Sequence, residues 1–588
     1  MRLHSISINF LLSLVIGFST SMNNPSLAQT ANTTPPEILG PSRPSGPDHQ
    51  TRSVTVARNG MACTSDPRAT LAALEVLQRG GTAVDAAIAA NAMLGVVEPM
   101  SCGIGGDLFA IVWDAKTKTM HGLNASGRAP KSLTRQHVQS LGIETIPNDS
   151  PLSWSLPGCV SGWHDLHQRF GKLPWKDLFT SSIREAEDGF PVSPLIAGYW
   201  QGAQKKLSAW PTSAATFLNS DGAPPQAGDI FRNPNLASSY RLIAERGANE
   251  FYRGSIAQRI VDFSHKNRGF FSLQDFSEHR NTWDAPVSIE YRGHRVWELP
   301  PNGQGIAALE MLQILKQHDL KSLGWGTPDY LHLLIEAKKL AYADRARYYA
   351  DPSFVDVPVS ELISDDYAQK QNKRIRPDRA ATDIPPGDPR PGQADTIYLC
   401  VVDKDRNCCS LIQSNFHGFG SGIVPDDVGF ALQNRGALFA LDDKHPNRLE
   451  PGKRPFHTII PAMVTKDDLP VLVFGLMGGD MQAQGHAQVI VNWLDFGMNI
   501  QMAGDAARVN HEGSATPTGL PGDIHGGEVL AETTFPQTTL DTLRQKGHVV
   551  RSARGTGFGG YQAIRIDWDR GILEGATECR KDGMAIGY

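Results

Sequence analysis

The 588-residue chain is 40% hydrophobic and 20% charged, the profile of an ordinary globular protein and not of a fibrous or disordered one. A formal net charge of −5 gives no reason to expect nucleic acid or an anionic membrane as partner. Seven cysteines, an odd number without a C-x-x-C pair, argue against a disulfide scaffold, a zinc site of that kind and thioredoxin-like chemistry; most of them read as small buried hydrophobes.

The N-terminus reads as an export signal. Arg2 and His4 form a short basic region, Ile6 to Phe18 the apolar run, and Ser26-Leu27-Ala28 the small-x-small pattern before a cleavage site. The run is too short and interrupted for a good membrane span. Removal of residues 1–28 leaves an exported protein, periplasmic in a two-membrane host and free of the membrane. Residues 29–52, rich in Pro, Ser, Thr and Gly, read as a tether.

Arg68 to Val97 reads as two helices separated by Gly80-Gly81. Met100 to Gly106 is a glycine-rich loop feeding the strand Leu108 to Trp113. It lacks a following Gly-Lys-Ser/Thr and leads into a strand, so it is a tight turn and not a phosphate loop. The middle of the chain is mostly helical, and Tyr330 to Tyr349 keeps helical spacing up to Asp351-Pro352. Residues 371–394 are polar and rich in Pro, Arg, Asp and Gly, a solvated loop open to cutting.

Thr396 follows directly. Thr396 to Val402 and Cys408 to Ser414 flank the turn Asp403 to Asn407, a hairpin signal. Asp403-x-Asp405-x-Asn407 imitates the start of a calcium loop, but Cys408 and Ser414 stand where glycine and an acid belong. If Val402 faces Cys408, counting pairs Cys400 with Ser410, Tyr398 with Ile412 and Thr396 with Ser414. Such pairs have Cβ atoms about 4.5–5.5 Å apart, and a bulge would break the count. Cleavage of the Asp395–Thr396 bond would leave Thr396 with a hydroxyl and a free α-amine, whose reference pKa is about 7.7–8.0. The amine can then serve as general base for the hydroxyl beside it.

Further on, Gly478-Gly479 follows the apolar strand Val471 to Gly475 and reads either as a turn or as a pair of N–H donors for an oxyanion. His457, in Arg454-Pro455-Phe456-His457-Thr458, reads alone as a core or rim histidine. No G-x-S-x-G elbow is present.

Taken in order, these segments resemble the γ-glutamyltranspeptidase (glutathione hydrolase) family. Gly80 to Ala89, Glu98-Pro99 with Gly103 to Asp107, Pro300 to Gly305, Glu336-Ala337 through Tyr342 to Arg345, Asp351 to Val355, Val401 to Asp405, Gly420 to Val424, Lys453 to Pro455 and Gly478-Gly479 carry the likeness over nearly the whole mature chain. The resemblance implies an α+β fold, the αββα four-layer sandwich of N-terminal-nucleophile hydrolases. It implies an inactive precursor that cuts itself before Thr396 into a large subunit (53–395) and a small catalytic subunit (396–588), paired as a heterodimer. It places the nucleophile at Thr396, its hydroxyl neighbour at Ser414 and the oxyanion donors at Gly478 and Gly479. It implies no cofactor and no metal, and a small-molecule amide as substrate.

The resemblance weakens where the acyl group is held. The family's Gln and Asp for the γ-glutamyl α-amine fall on Arg435 and Leu438. Its Ser-Ser pair for the α-carboxylate falls on His457-Thr458, and Arg128 lies two positions beyond its carboxylate-binding arginine. The loop from Phe439 to Lys453 is shorter than the usual lid. An ammonium beside an arginine and a leucine has no partner, which is costly. Two enzymatic readings follow: a γ-glutamyl hydrolase or transpeptidase releasing the acyl group to water or an amine, and an acylase or amidohydrolase for a non-amino dicarboxylic monoamide, akin to glutaryl acylases or oxamate amidohydrolase. A third reading is an uncut, non-catalytic binding protein.

Overall fold

The structure is a computed structural model, and it describes residues 50–382, 394–515, 517–518 and 526–588, with only the backbone described at 394, 395 and 556. The expected signal segment, most of the expected tether and the final stretch before Ala394 lie outside the described residues.

Two seven-stranded antiparallel sheets dominate. In one, the strand Ala394–Val402 lies beside Cys408–His417, flanked by Met61–Thr64 on one side and Asp107–Asp114 on the other. In the other, Leu469–Met477 is central, between Ala462–Lys466 and Gly560–Asp567. Strand alternation sorts the side chains into three buried layers. Ile397, Leu399 and Val401 face the helices Pro67–Gln78 and Ala83–Val97. Tyr398, Cys400 and Val402 face Met463, Val473 and Ile564 of the opposite sheet. On that sheet's far side, Leu472 and Phe474 pack against the helices Gly305–Leu315, Pro328–Tyr348 and Met481–Leu494. Helices, sheet, sheet and helices thus form the αββα sandwich.

The family-like segments have local physical reasons. Thr82 and Asp85 make a reciprocal capping box at the start of Ala83–Val97, a helix buried on all sides whose alanines permit that packing. Gly475 is required because a Cβ there would lie 2.5 Å from the Tyr398 ring, which crosses it from the facing sheet. All seven cysteines are free thiols and six are buried. Among the described residues, no helix is long and apolar enough to cross a membrane.

Candidate active site

The hairpin register runs as counted from Val402–Cys408 to Ile397–Gln413, then slips by one residue, so that Asp395 faces Phe416. The extra residue makes a bulge beside Thr396. Phe416 takes φ of +81°, an uncommon conformation for a bulky side chain, and its N–H donates to Ser414 Oγ at 2.8 Å. The Thr396 and Ser414 hydroxyls still meet, 3.1 Å apart and buried.

The glycine-rich loop braces this corner. Gln413 accepts from Gly103 N–H and donates to Gly103 C=O, both at 2.8 Å. A Cβ at Gly106 would lie 2.3 Å from the Ser414 carbonyl oxygen. The loop is therefore the tight turn expected, and it holds the Ser414 strand.

From Ser414 a chain of contacts runs round the site. Phe416 lies under the Arg435 guanidinium, 4.3 Å from ring centroid to Cζ. Arg435 Nη1 donates to Thr458 Oγ1 at 2.7 Å. Gln304 Nε2 then donates to both the Thr458 carbonyl (2.7 Å) and the Gly479 carbonyl (2.9 Å). Gly478 and Gly479 have φ of +120° and +56°, and the Gly478 carbonyl accepts from Met481 N–H. Their carbonyls are thus tied back, while neither N–H donates to another of the described residues. Arg345 fixes this turn, bonding Gln304 Oε1 at 2.6 Å and Asp480 Oδ1 at 2.7 Å. Desolvation opposes the Asp480 charge, but Arg345 outweighs it and holds the carboxyl below its usual value.

Arg435 is fully buried, and its Nε and Nη2 have no hydrogen-bond partner among the described residues. Burial lowers its pKa to about 9, against the pull of Asp107 and Asp480. Leu438 closes the short 3-10 turn Arg435–Leu438 without offering an acceptor.

His457 Nε2 meets Asp107 Oδ2 at 2.7 Å, and its Nδ1 is unpartnered. Asp107 also accepts from Gln433 Nε2 and Gly127 N–H through Oδ1. Burial raises its carboxyl to about 7, and burial with Arg435 and Arg454 pushes His457 far down. Asp107 faces Ser414 across the adjoining strand pair, so His457 belongs to the same corner as Thr396.

The remaining sequence candidate, Arg128, follows Gly127, whose N–H bonds Asp107, but its own side chain pairs with Asp351. Its Nη1 reaches Asp351 Oδ2 at 3.3 Å and the Gly452 carbonyl at 3.2 Å, and Asp351 also accepts from Arg454 N–H. It makes no direct contact with Arg435 among the described interactions. The short Phe439 to Lys453 loop packs Phe439 and Leu449 against Ala129, Leu133 and Val138. Asp107, Gln304 and Arg345 fall within family-like segments, but the sequence alone assigns no site role to them or to Gln433. An aspartate opening an otherwise apolar strand, certain to be buried, was the available signal for Asp107.

The family model for gamma-glutamyltranspeptidase matches residues 69–588. The chain belongs to the γ-glutamyltranspeptidase family. Its fold is that of the N-terminal-nucleophile hydrolases, and it is an amide-cleaving enzyme of the glutathione hydrolase type. It is 36% identical over 520 residues to the glutathione hydrolase-like YwrD proenzyme of Bacillus subtilis, covering 87% of this chain and 95% of that one. It is 33% identical over 548 residues to the oxamate amidohydrolase proenzyme of Klebsiella pneumoniae, covering 91% and 100%. The crystal structure of a cephalosporin acylase from Bacillus halodurans superposes with a TM-score of 0.84 at 41% identity, covering 94% of this chain and 99% of that one. These relatives thus bear names with different substrates, and two of the three are named as proenzymes.

Proposed function

We propose that this family member cuts itself between Asp395 and Thr396 and uses the new N-terminus to hydrolyse a dicarboxylic monoamide whose acyl group carries no α-amine. In the working enzyme the freed Thr396 amine takes the hydroxyl proton as Oγ attacks the amide carbonyl. Ser414 orients that hydroxyl. The oxyanion takes the Gly478 and Gly479 N–H groups, a kind of interaction worth several kcal/mol when preorganised. The protonated amine then delivers its proton to the leaving amine. Water attacks the acyl ester in the second half-reaction, with the same amine as base.

The observation that carries the acyl assignment is Arg435. A fully buried guanidinium with two nitrogens, Nε and Nη2, unpartnered among the described residues is costly unless an anion completes it, and a carboxylate suits its fork. Thr458 and the Phe416 ring hold it in place. An α-ammonium at the same place would meet a cation and Leu438, with no acceptor from either. The likeness to an oxamate amidohydrolase agrees with this reading, since oxamate is the monoamide of a dicarboxylic acid that carries no α-amine.

The test compares glutaryl and γ-glutamyl anilides with the purified, processed protein. Faster turnover of the glutaryl substrate is expected. Much faster turnover of the γ-glutamyl substrate would return the enzyme to the amino-acyl reading.

A further inference from the structure

At the other end of the helix Pro328–Tyr348, thirteen residues before Arg345 and so roughly 20 Å along its axis, lies a cluster the proposed reaction does not use. His332 and Glu336, one helical turn apart, converge with His548. All three are buried, and their ligand-type atoms lie within 4.8 Å of one another.

The hydrogen bonds set the tautomers. His332 Nε2 lies 2.7 Å from the Arg376 carbonyl. A carbonyl only accepts, so Nε2 carries the hydrogen. In the neutral ring this leaves a lone pair on Nδ1. That lone pair faces His548 Nε2 at 2.8 Å. An imidazole whose outer N–H is tied to a backbone carbonyl while the inner nitrogen points at other ligands is the usual preparation of a metal-binding histidine.

We propose that His332 Nδ1, His548 Nε2 and a Glu336 carboxylate oxygen form a binding site for one zinc-like divalent cation. The cation takes the place of the hydrogen now shared between the two rings, and His548 moves that hydrogen to Nδ1. Two imidazoles and a carboxylate with water as fourth ligand is an established tetrahedral zinc set. At a Zn–N distance of about 2.0–2.1 Å the two nitrogens would sit about 3.3 Å apart, a small opening from their present separation. Bound there, the metal clamps the helix to the turn before the strand Val549–Ala553 and to the segment through Arg376.

The competing cation is Lys339. Its ammonium lies 2.8 Å from Glu336 Oε1 and 2.9 Å from the Ala381 carbonyl, while Glu336 Oε2 accepts from Ala381 N–H. Lys546 stands nearby, held by the Pro377 carbonyl and Asp329.

The experiment is calorimetric titration of the chelator-stripped full chain with Zn²⁺, repeated with Co²⁺ to read the coordination from its visible spectrum. One equivalent of zinc and a tetrahedral cobalt spectrum are expected. His548→Ala and Glu336→Gln should weaken binding by more than the roughly 10- to 100-fold typical of losing an outer-shell partner. Lys339→Met, which removes the competing ammonium from Glu336 and no proposed ligand, should tighten it, and it serves even if the His548 variant fails to fold. No saturable uptake by the unaltered chain, equal uptake by folded His548→Ala, or unchanged affinity in Lys339→Met would each overturn the site.

Discussion

The Thr396 and Ser414 hydroxyls lie 3.1 Å apart although the ladder slips by one residue beside them. The bulge turns Phe416 back so that its N–H reaches Ser414 Oγ, and this pins the serine on the Thr396 side. Ser414 thereby links the attacking oxygen of the proposed mechanism to the Phe416–Arg435 stack. Ser414→Ala removes a buried hydrogen bond worth about 1 kcal/mol. We expect both self-cleavage and turnover to slow roughly 5-fold or more, measured by gel densitometry and by anilide release.

Thr396→Ala should give a full-length, inactive chain. Intact mass spectrometry reads this directly. A pair of fragments divided at residue 396 in that variant would place the cleaving nucleophile elsewhere.

Gly478→Ala tests the oxyanion assignment. A Cβ there would lie 2.9 Å from Gly559 Cα, at a φ of +120°, so the turn must move. We expect kcat to fall about 10²- to 10³-fold, as for other lost oxyanion donors, with KM far less affected. A KM effect alone would argue for a purely structural glycine.

Arg435→Met separates binding from stability. Losing a charge-assisted hydrogen bond to the acyl carboxylate costs about 1.5–3 kcal/mol, so kcat/KM for a glutaryl substrate should drop about 10- to 100-fold. The substrate-free protein should melt higher, because an incompletely paired buried charge is replaced by an apolar side chain, a change worth roughly 1–4 kcal/mol in comparable cases. A lower melting point would mean that Arg435 is a structural residue.

Asp107 has a pH signature. Its carboxyl, raised to about 7 by burial, binds its proton in the folded state at pH values where the unfolded chain has released it. Folding stability from this group therefore falls as pH rises from about 4 to about 7 and is level above that. Asp107→Asn should remove that fall, leaving a flatter dependence of melting temperature on pH across this window. An unchanged slope would assign it to other groups, of which Glu98, also raised to about 7 by burial, is the first to test.

Local physics made several elements legible in the sequence alone. Helical spacing and the Gly80-Gly81 break marked the first helix pair, found at Pro67–Gln78 and Ala83–Val97. Two strand-like runs around a polar turn marked the Thr396 hairpin. The order of short segments pointed to the family, because such segments answer local needs, of which the Thr82–Asp85 cap is one. Such needs are written within a few residues and survive without knowledge of neighbours.

Tertiary structure decided the rest. Asp107 meets His457 across 350 positions, and Gln304 joins Thr458 to Gly479; no periodicity relates residues so far apart. Arg128 and Arg435 looked alike as spare cations, yet the fold neutralises the first on Asp351 and leaves two nitrogens of the second unpartnered among the described residues. His332 and His548 became neighbours in the same way. Burial and pairing depend on which surfaces the folded chain brings together, so the charges that select a ligand can be assigned only once those surfaces have met.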